Sequence, residues 1–357
     1  YHREHFHLIS LIAPPLPSKV IVDPHFRRMG EIFSPADKQR LADLVDVVWG
    51  HDEPMPQADF LRALPSVEAV ICTGWRYGDV LGSAPNLRAI LDVSGSFPLT
   101  LDYDACYTRR IRVLSAAPAF ARQVAEFSLG LAIASARDIA LGDRLMRRGD
   151  EKYLWQGNHG TFMLYDKPVG IIGYGSLARA LQPLLQPFNV AIAAYDPWLS
   201  DGYLRRQGVT PMPLADLLAS SRFIFVMAAP TKENQAMISR ELLELIPRNA
   251  VFVLASRAHV VDFDALTEMA LAGRFKVATD VFPIEPLPAD HAIRQADGAL
   301  LSAHRAGSVA EALTEMGEMV IDDLEAIVRG LPPRRLQMAE PELSKRYASN
   351  KAKSPIL

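Results

Sequence analysis

Short apolar runs recur along the chain, separated by segments whose apolar positions return at helical spacing. One series occupies 18–22 (KVIVD), 45–49 (VDVVW), 68–72 (EAVIC), 88–93 (RAILDV) and 111–114 (IRVL). A second occupies 168–172 (PVGII), 189–195, 222–228, 250–255, 275–279 and 298–302. Unbroken apolar runs of about four to eight residues suit strands buried on both faces, as in parallel sheets. Between them lie helical segments such as 36–44 and 262–272, so the alternation predicts an α/β protein with doubly wound parallel sheets. Two longer helical stretches, 121–147 and 308–329, separate or follow the series. They read as crossovers between two domains, the chain starting in one, building the second, and returning. Residues 148–166 read as a loop, and the Pro- and Lys-rich tail 331–357 as surface chain.

Composition changes this picture little. A chain of 357 residues is long enough for about two domains. Its net charge of −3 argues against a nucleic-acid partner, which would need a basic excess. No apolar run reaches the roughly 18–20 residues of a membrane span. Prolines 14, 15 and 17 interrupt the N-terminal apolar stretches, so no signal peptide is expected. Two distant cysteines, Cys72 and Cys106, cannot staple a fold of this size, which points to a reducing cytoplasm. His2, His5 and His7 are expected to belong to a frayed terminus, and no metal site is expected.

The segment KPVGIIGYGSLARAL, 167–181, carries the first chemistry. Gly173-x-Gly175-x-x-Ala178 joins an apolar strand to a helix. The first glycine permits the tight turn, the second lets backbone approach a pyrophosphate, and the small third residue lets helix and strand pack. The helix N-terminus then offers free N–H groups to phosphates. The next strand ends at Asp196, near the offset at which an acid accepts hydrogen bonds from a ribose diol and repels the 2′-phosphate of NADP. This combination predicts NAD as cofactor.

Three later strands end in charged residues: Arg257 after VFVLAS, Asp280 and Glu285 in TDVFPIEP, and His304 in SAHRAG. Ligands of open α/β sheets sit outside the carboxyl ends of strands, so these residues are expected to face the nicotinamide. Hydride transfer at a 2-hydroxy carbon also needs a proton moved at its oxygen, which an imidazole does near neutral pH. A carboxylate beside it holds the ring, and a guanidinium binds a substrate carboxylate bidentately.

These motifs, with APNLRAIL (84–91), RQVAEFSLGLAIASAR (122–137) and PTKENQAMISRELLELIPRNAVFVLASRA (230–258), resemble the D-isomer-specific 2-hydroxyacid dehydrogenases, the family of phosphoglycerate dehydrogenase and glyoxylate/hydroxypyruvate reductases. The resemblance covers roughly residues 65–330. It implies a Rossmann NAD-binding domain (120–306) inserted into a flavodoxin-like substrate domain (1–119 plus 307–357). It implies Arg257, Glu285 and His304 as catalytic residues, and Asp280 as acceptor for the nicotinamide carboxamide. Ser176 and Leu177 would meet the pyrophosphate, with Ala255, Ser256 and Ala306 also at the cofactor. The family's glycine-bearing substrate loop reads DVSGSF here, which implies Ser94, Gly95 and Ser96 at the substrate; Arg76 is a further candidate anion contact, with Trp75 and Tyr77 beside it. A homodimer through the helix 121–137 is also implied. The chain departs from the family at Ala258 and His259, where Gly usually follows the arginine, and at Ala303, where Pro usually precedes the histidine. The expected function is NAD-dependent reduction of a 2-keto acid. The alternatives are an NAD-sensing corepressor-type protein of the same fold and a dehydrogenase of a small anion such as phosphite or formate.

Overall fold

The computed structural model describes residues 17–231, 233–344 and 346. His2, His5 and His7 and the end of the tail lie outside them. The first series of apolar runs forms β1 (Lys19–Asp23), β2 (Asp46–Gly50), β3 (Val67–Cys72), β4 (Ala89–Asp92) and β5 (Arg112–Ser115). The second forms β6 (Pro168–Ile172), β7 (Ala191–Tyr195), β8 (Thr210–Pro211), β9 (Phe223–Val226), β10 (Val251–Leu254), β11 (Lys276–Thr279) and β12 (Leu300–Leu301). A short β13 (Gln337–Met338) follows near the end.

One sheet has the order β13-β5-β4-β3-β1-β2, parallel except for β13, which runs antiparallel along β5. The other has the order β12-β11-β10-β9-β6-β7-β8 and is wholly parallel. Counted along the chain, the first is the 2-1-3-4-5 flavodoxin-like arrangement with an added edge strand, and the second is the Rossmann 3-2-1-4-5-6 arrangement extended by one strand. The order reverses between β1 and β3 in one sheet and between β6 and β9 in the other. In open α/β sheets ligands bind at such points, outside the carboxyl ends of the strands.

The unbroken apolar runs follow from burial on both faces. Every residue of β9 and β10 is buried. Ile224, Val226, Phe252 and Leu254 enter one apolar layer, and Phe223, Phe225, Val251 and Val253 enter the opposite one. The first sheet does the same, with Val20 and Val22 on one side and Ile21 on the other. Burying each such side chain contributes about 1.5–3 kcal/mol before chain entropy is counted.

Two expectations need correction. The stretch 121–147 is two helices, Ala121–Ala136 and Ile139–Arg148, broken at Asp138, whose φ of 51° is left-handed. Asp138 takes that conformation beside Lys276, with which it pairs. The first helix spends its small and apolar face inside its own chain, through Val124, Ala125, Leu131, Ala132 and Ala136. Exposed apolar side chains follow it, at Ile139, Met146, Tyr153, Leu154, Trp155 and Met163. The tail is not all surface chain. The buried Asp323 carboxylate accepts the N–H groups of Arg334, Arg335 and Leu336, which steers β13 onto β5. Among the described residues no helix is long and apolar enough to cross a membrane.

Candidate active site

Gly173 and Gly175 form the turn from β6 into the helix Ser176–Leu185, at the reversal between β6 and β9. Gly173 has φ +85°, and a Cβ there would lie 2.5 Å from the Ala228 Cα, so both conformation and space exclude a side chain. Beside Gly175, by contrast, the space is open. The helix has no side-chain N-cap, so its first N–H groups are left for a ligand. Asp196 follows β7 and accepts the N–H groups of Tyr174 at 2.8 Å and Trp198 at 2.9 Å. It is partly exposed, so it ties the glycine turn to β7 and keeps lone pairs for a ribose.

Parallel strands bring their carboxyl ends to one edge. Ala255, Ser256 and Arg257 follow β10, Asp280 follows β11, and His304 comes shortly after β12. Leu177, Ala255 and Ala306 meet in one apolar cluster with Val124 and Phe120. The Ser256 hydroxyl is buried and has no hydrogen-bond partner among the described residues.

His304 Nδ1 lies 2.6 Å from Glu285 Oε2, and Glu285 Oε1 accepts the Phe282 N–H at 2.9 Å. The carboxylate is thereby fixed on one side and holds the ring on the other. Nε2 of His304 has no partner among the described residues and is free for a substrate. His304 itself has φ +52°, a left-handed conformation costing a non-glycine residue about 1–2 kcal/mol. Asp280 holds it there. Its carbonyl accepts the His304 N–H at 2.8 Å, and its carboxylate accepts the N–H groups of Arg305 and Ala306, both at 2.9 Å. Asp280 has no exposed surface. The carboxamide contact expected of it therefore falls to at most a remaining lone pair; its evident work is to fix the histidine turn.

Arg257 donates from Nη1 to the Ser256 carbonyl at 2.7 Å and leaves its other donors unclaimed among the described residues. Partial desolvation lowers its pKa although the side chain reaches the surface, while the Glu285 carboxylate acts in the opposite sense. The substitution of Ala258 for the usual glycine is tolerated because that residue does not need a positive φ. His259 Nε2 lies 2.8 Å from the Thr231 carbonyl and links two loops. Ala303 is exposed and loses nothing by not being proline.

Across the crevice, β4 delivers the substrate loop. Asp92 is buried and accepts the N–H groups of Gly74 at 2.6 Å and Ser94 at 2.7 Å, with the Ser94 hydroxyl also on it. Burial pushes its carboxyl up to about 6 against these hydrogen bonds. The loop turns at Gly95, φ +88°, where a Cβ would lie 2.6 Å from the Phe120 ring. The same ring would lie 2.8 Å from a Cβ on Gly307. Phe120 is thus wedged between the substrate loop and the segment just after His304. The Phe120 ring links the loop at Gly95 to the chain at Gly307, three residues beyond His304.

Arg76 is placed otherwise than expected. It pairs with the buried Asp23 and donates to the Met55 carbonyl at 2.9 Å. Asp23 also accepts from the Tyr77 hydroxyl. With its charge matched inside the chain, Arg76 is not an open anion contact. Trp75 and Tyr77 are buried against Phe60, Tyr77 stacked at 3.5 Å, so they pack the core. Arg27 and Phe120 were not singled out by sequence. Arg27 sits just past the carboxyl end of β1, and the strand-end rule applied to the first sheet would have found it.

Comparison with known proteins agrees with this geometry. Residues 129–306 match the family described as D-isomer specific 2-hydroxyacid dehydrogenase, NAD binding domain. A glyoxylate reductase of Thermofilum pendens is 30% identical over 290 residues, covering 79% of this chain and 85% of that protein. A D-3-phosphoglycerate dehydrogenase of Archaeoglobus fulgidus is 29% identical over 284 residues, covering 78% of this chain and 53% of that longer one. A crystal structure of a phosphoglycerate oxidoreductase from Rhizobium etli superposes with a TM-score of 0.79 at 36% identity, covering 90% of this chain and 98% of that one. The uncapped helix, the open space at Gly175 and the orphaned Ser256 hydroxyl fit a nicotinamide dinucleotide. The chain belongs to the D-isomer-specific 2-hydroxyacid dehydrogenases, nicotinamide-dependent oxidoreductases of small 2-hydroxy and 2-keto acids.

Proposed function

We propose that the protein works as an NADH-dependent 2-keto acid reductase, with residues 120–306 as the cofactor domain and 1–119 plus 307–357 as the substrate domain. The observation that carries this reading is the 2.6 Å contact between His304 Nδ1 and Glu285 Oε2, which leaves Nε2 free. When bound, the nicotinamide supplies the hydride. The open donors of Arg257 hold the substrate carboxylate as a planar fork. In the Ser94–Ser96 loop the Ser94 N–H is held by Asp92 and the Ser96 N–H by the Ser94 hydroxyl, which leaves the Gly95 N–H for the same group. His304 Nε2 gives its proton to the carbonyl oxygen as that oxygen becomes a hydroxyl. Glu285, itself fixed by the Phe282 N–H, keeps the ring oriented. In the oxidative direction the same imidazole takes the proton back.

The cofactor is assigned to the turn at Gly173 and Gly175, the N–H groups of Ser176 and Leu177, Asp196, and the surface at Ala255, Ser256 and Ala306. Asp196 is the discriminator between NAD and NADP, since its carboxylate repels a 2′-phosphate. An assay of glyoxylate, hydroxypyruvate, phosphohydroxypyruvate and phenylpyruvate with NADH and NADPH tests the reading. We expect turnover with NADH, and in Asp196→Ala a shift of the NADH:NADPH ratio of kcat/KM toward NADPH by about tenfold or more. No turnover on any acid, together with NAD-dependent assembly, would favour a sensing protein.

The partner copy is assigned to the exposed apolar side chains between Ile139 and Met163, continuous with the helix Ala121–Ala136. A surface of this kind marks an interaction site. Sedimentation should give a dimer, and Trp155→Glu should shift it toward monomer; an unshifted dimer moves the interface elsewhere. The buried free thiols of Cys72 and Cys106 suit a reducing cytoplasm.

A further inference from the structure

Arg27 lies in the turn after β1, where the strand order of the first sheet reverses. Its Nε donates to the Val93 carbonyl at 2.8 Å, one residue before the substrate loop. That bond fixes the plane of the guanidinium. Nη1 and Nη2 donate to nothing among the described residues. The group stands 5.6 Å from the centre of the Phe120 ring, the ring wedged against Gly95 and Gly307. Arg27 therefore shares a wall with both the substrate loop and the segment leading away from His304.

The acids near it are committed elsewhere. Glu31 accepts the Arg28 N–H, and Asp92 accepts from Gly74 and Ser94, and neither forms an ion pair with Arg27. Burial lowers the Arg27 pKa and outweighs the opposite pull of the Glu31 and Asp92 carboxylates, neither of which is bonded to it. The contrast with Arg76 is direct: that guanidinium is also at a strand end, but Asp23 neutralises it. A half-buried arginine with an open fork beside a ligand crevice lacks an anion. The C1 carboxylate of a 2-keto acid is already met by Arg257, so the anion Arg27 awaits is a different one.

We propose that Arg27 is a specificity-determining residue that binds a second anionic group, a phosphate monoester or a second carboxylate, on the substrate end remote from C1. The proposal rests on the reading of the site as a 2-keto acid reductase. Two matched pairs of substrates test it: hydroxypyruvate with phosphohydroxypyruvate, and pyruvate with oxaloacetate. Within each pair only the second anion differs. For each of wild type, Arg27→Gln and Arg27→Lys, the ratio of kcat/KM for the charged over the uncharged member is measured. In Arg27→Gln we expect that ratio to fall about 30-fold or more in one pair, which identifies phosphate or carboxylate. Arg27→Lys should restore part of it, since a point charge replaces the fork. Equal losses on both members of each pair would overturn the proposal and leave Arg27 as a prop for the Val93 loop. Unchanged ratios in both pairs would overturn it as well. Wild-type protein inert on all four acids would instead overturn the reductase reading beneath it. Thermal unfolding of the variants separates a folding defect from a change in ratio.

Discussion

His304→Ala is expected to lower kcat by at least about 10²-fold while leaving NADH affinity within a few-fold of wild type. The imidazole has its Nδ1 against a fixed carboxylate and its Nε2 without a partner among the described residues. Its removal takes away the proton donor and leaves the dinucleotide turn at Gly173 untouched, so binding and chemistry should separate. The variant should lose little stability, because His304 is exposed and its contact with Glu285 lies at the surface. NADH binding by fluorescence and single-turnover reduction of glyoxylate decide the matter. Near-wild-type turnover would remove His304 from the mechanism.

Asp280→Asn should harm both stability and rate. Both carboxylate oxygens of Asp280 accept backbone N–H groups, from Arg305 and Ala306, in a site without water access. Asparagine must present an NH₂ to one of those N–H donors, so a donor faces a donor and one buried N–H loses its acceptor. The expected cost is about 2–4 kcal/mol. The turn that keeps His304 in its left-handed conformation then relaxes, and the 2.6 Å contact with Glu285 goes with it. We expect kcat to fall by about tenfold or more even at temperatures where the variant is fully folded. Loss of stability with kcat unchanged would show that Asp280 supports the fold alone, whereas loss of carboxamide contact alone would raise the KM for NADH and spare the unfolding temperature.

Much of this was legible from residues in order. Parallel strands buried on both faces need unbroken apolar runs, so the runs marked β1 to β7 and β9 to β12 within a residue or two. The exceptions are short pairs whose partners set them. β8 and β13 are two residues each, and β13 exists because the buried Asp323 gathers three N–H groups and turns the tail onto β5. The break at Asp138 was hidden because the helical periodicity runs through it; in the fold Asp138 takes a left-handed φ and pairs with Lys276 of β11. At the site, Gly173, Asp196, Arg257, Glu285 and His304 carried their meaning in the local pattern. Arg76 and Arg27 did not, since each is an arginine past a strand, and only the position of the acids tells them apart.

The order of strands, turn glycines and charged strand ends was determined by the sequence alone, because burial, backbone conformation and the shared direction of parallel strands are local or periodic properties. The tertiary structure decided which charges are matched. Asp23 closes off Arg76, Asp280 is consumed by the turn it holds, and Arg27 is left with an open fork beside Phe120. Ion pairing and hydrogen bonding act over a few ångströms between residues distant in the chain, and only folding brings those residues to such distances.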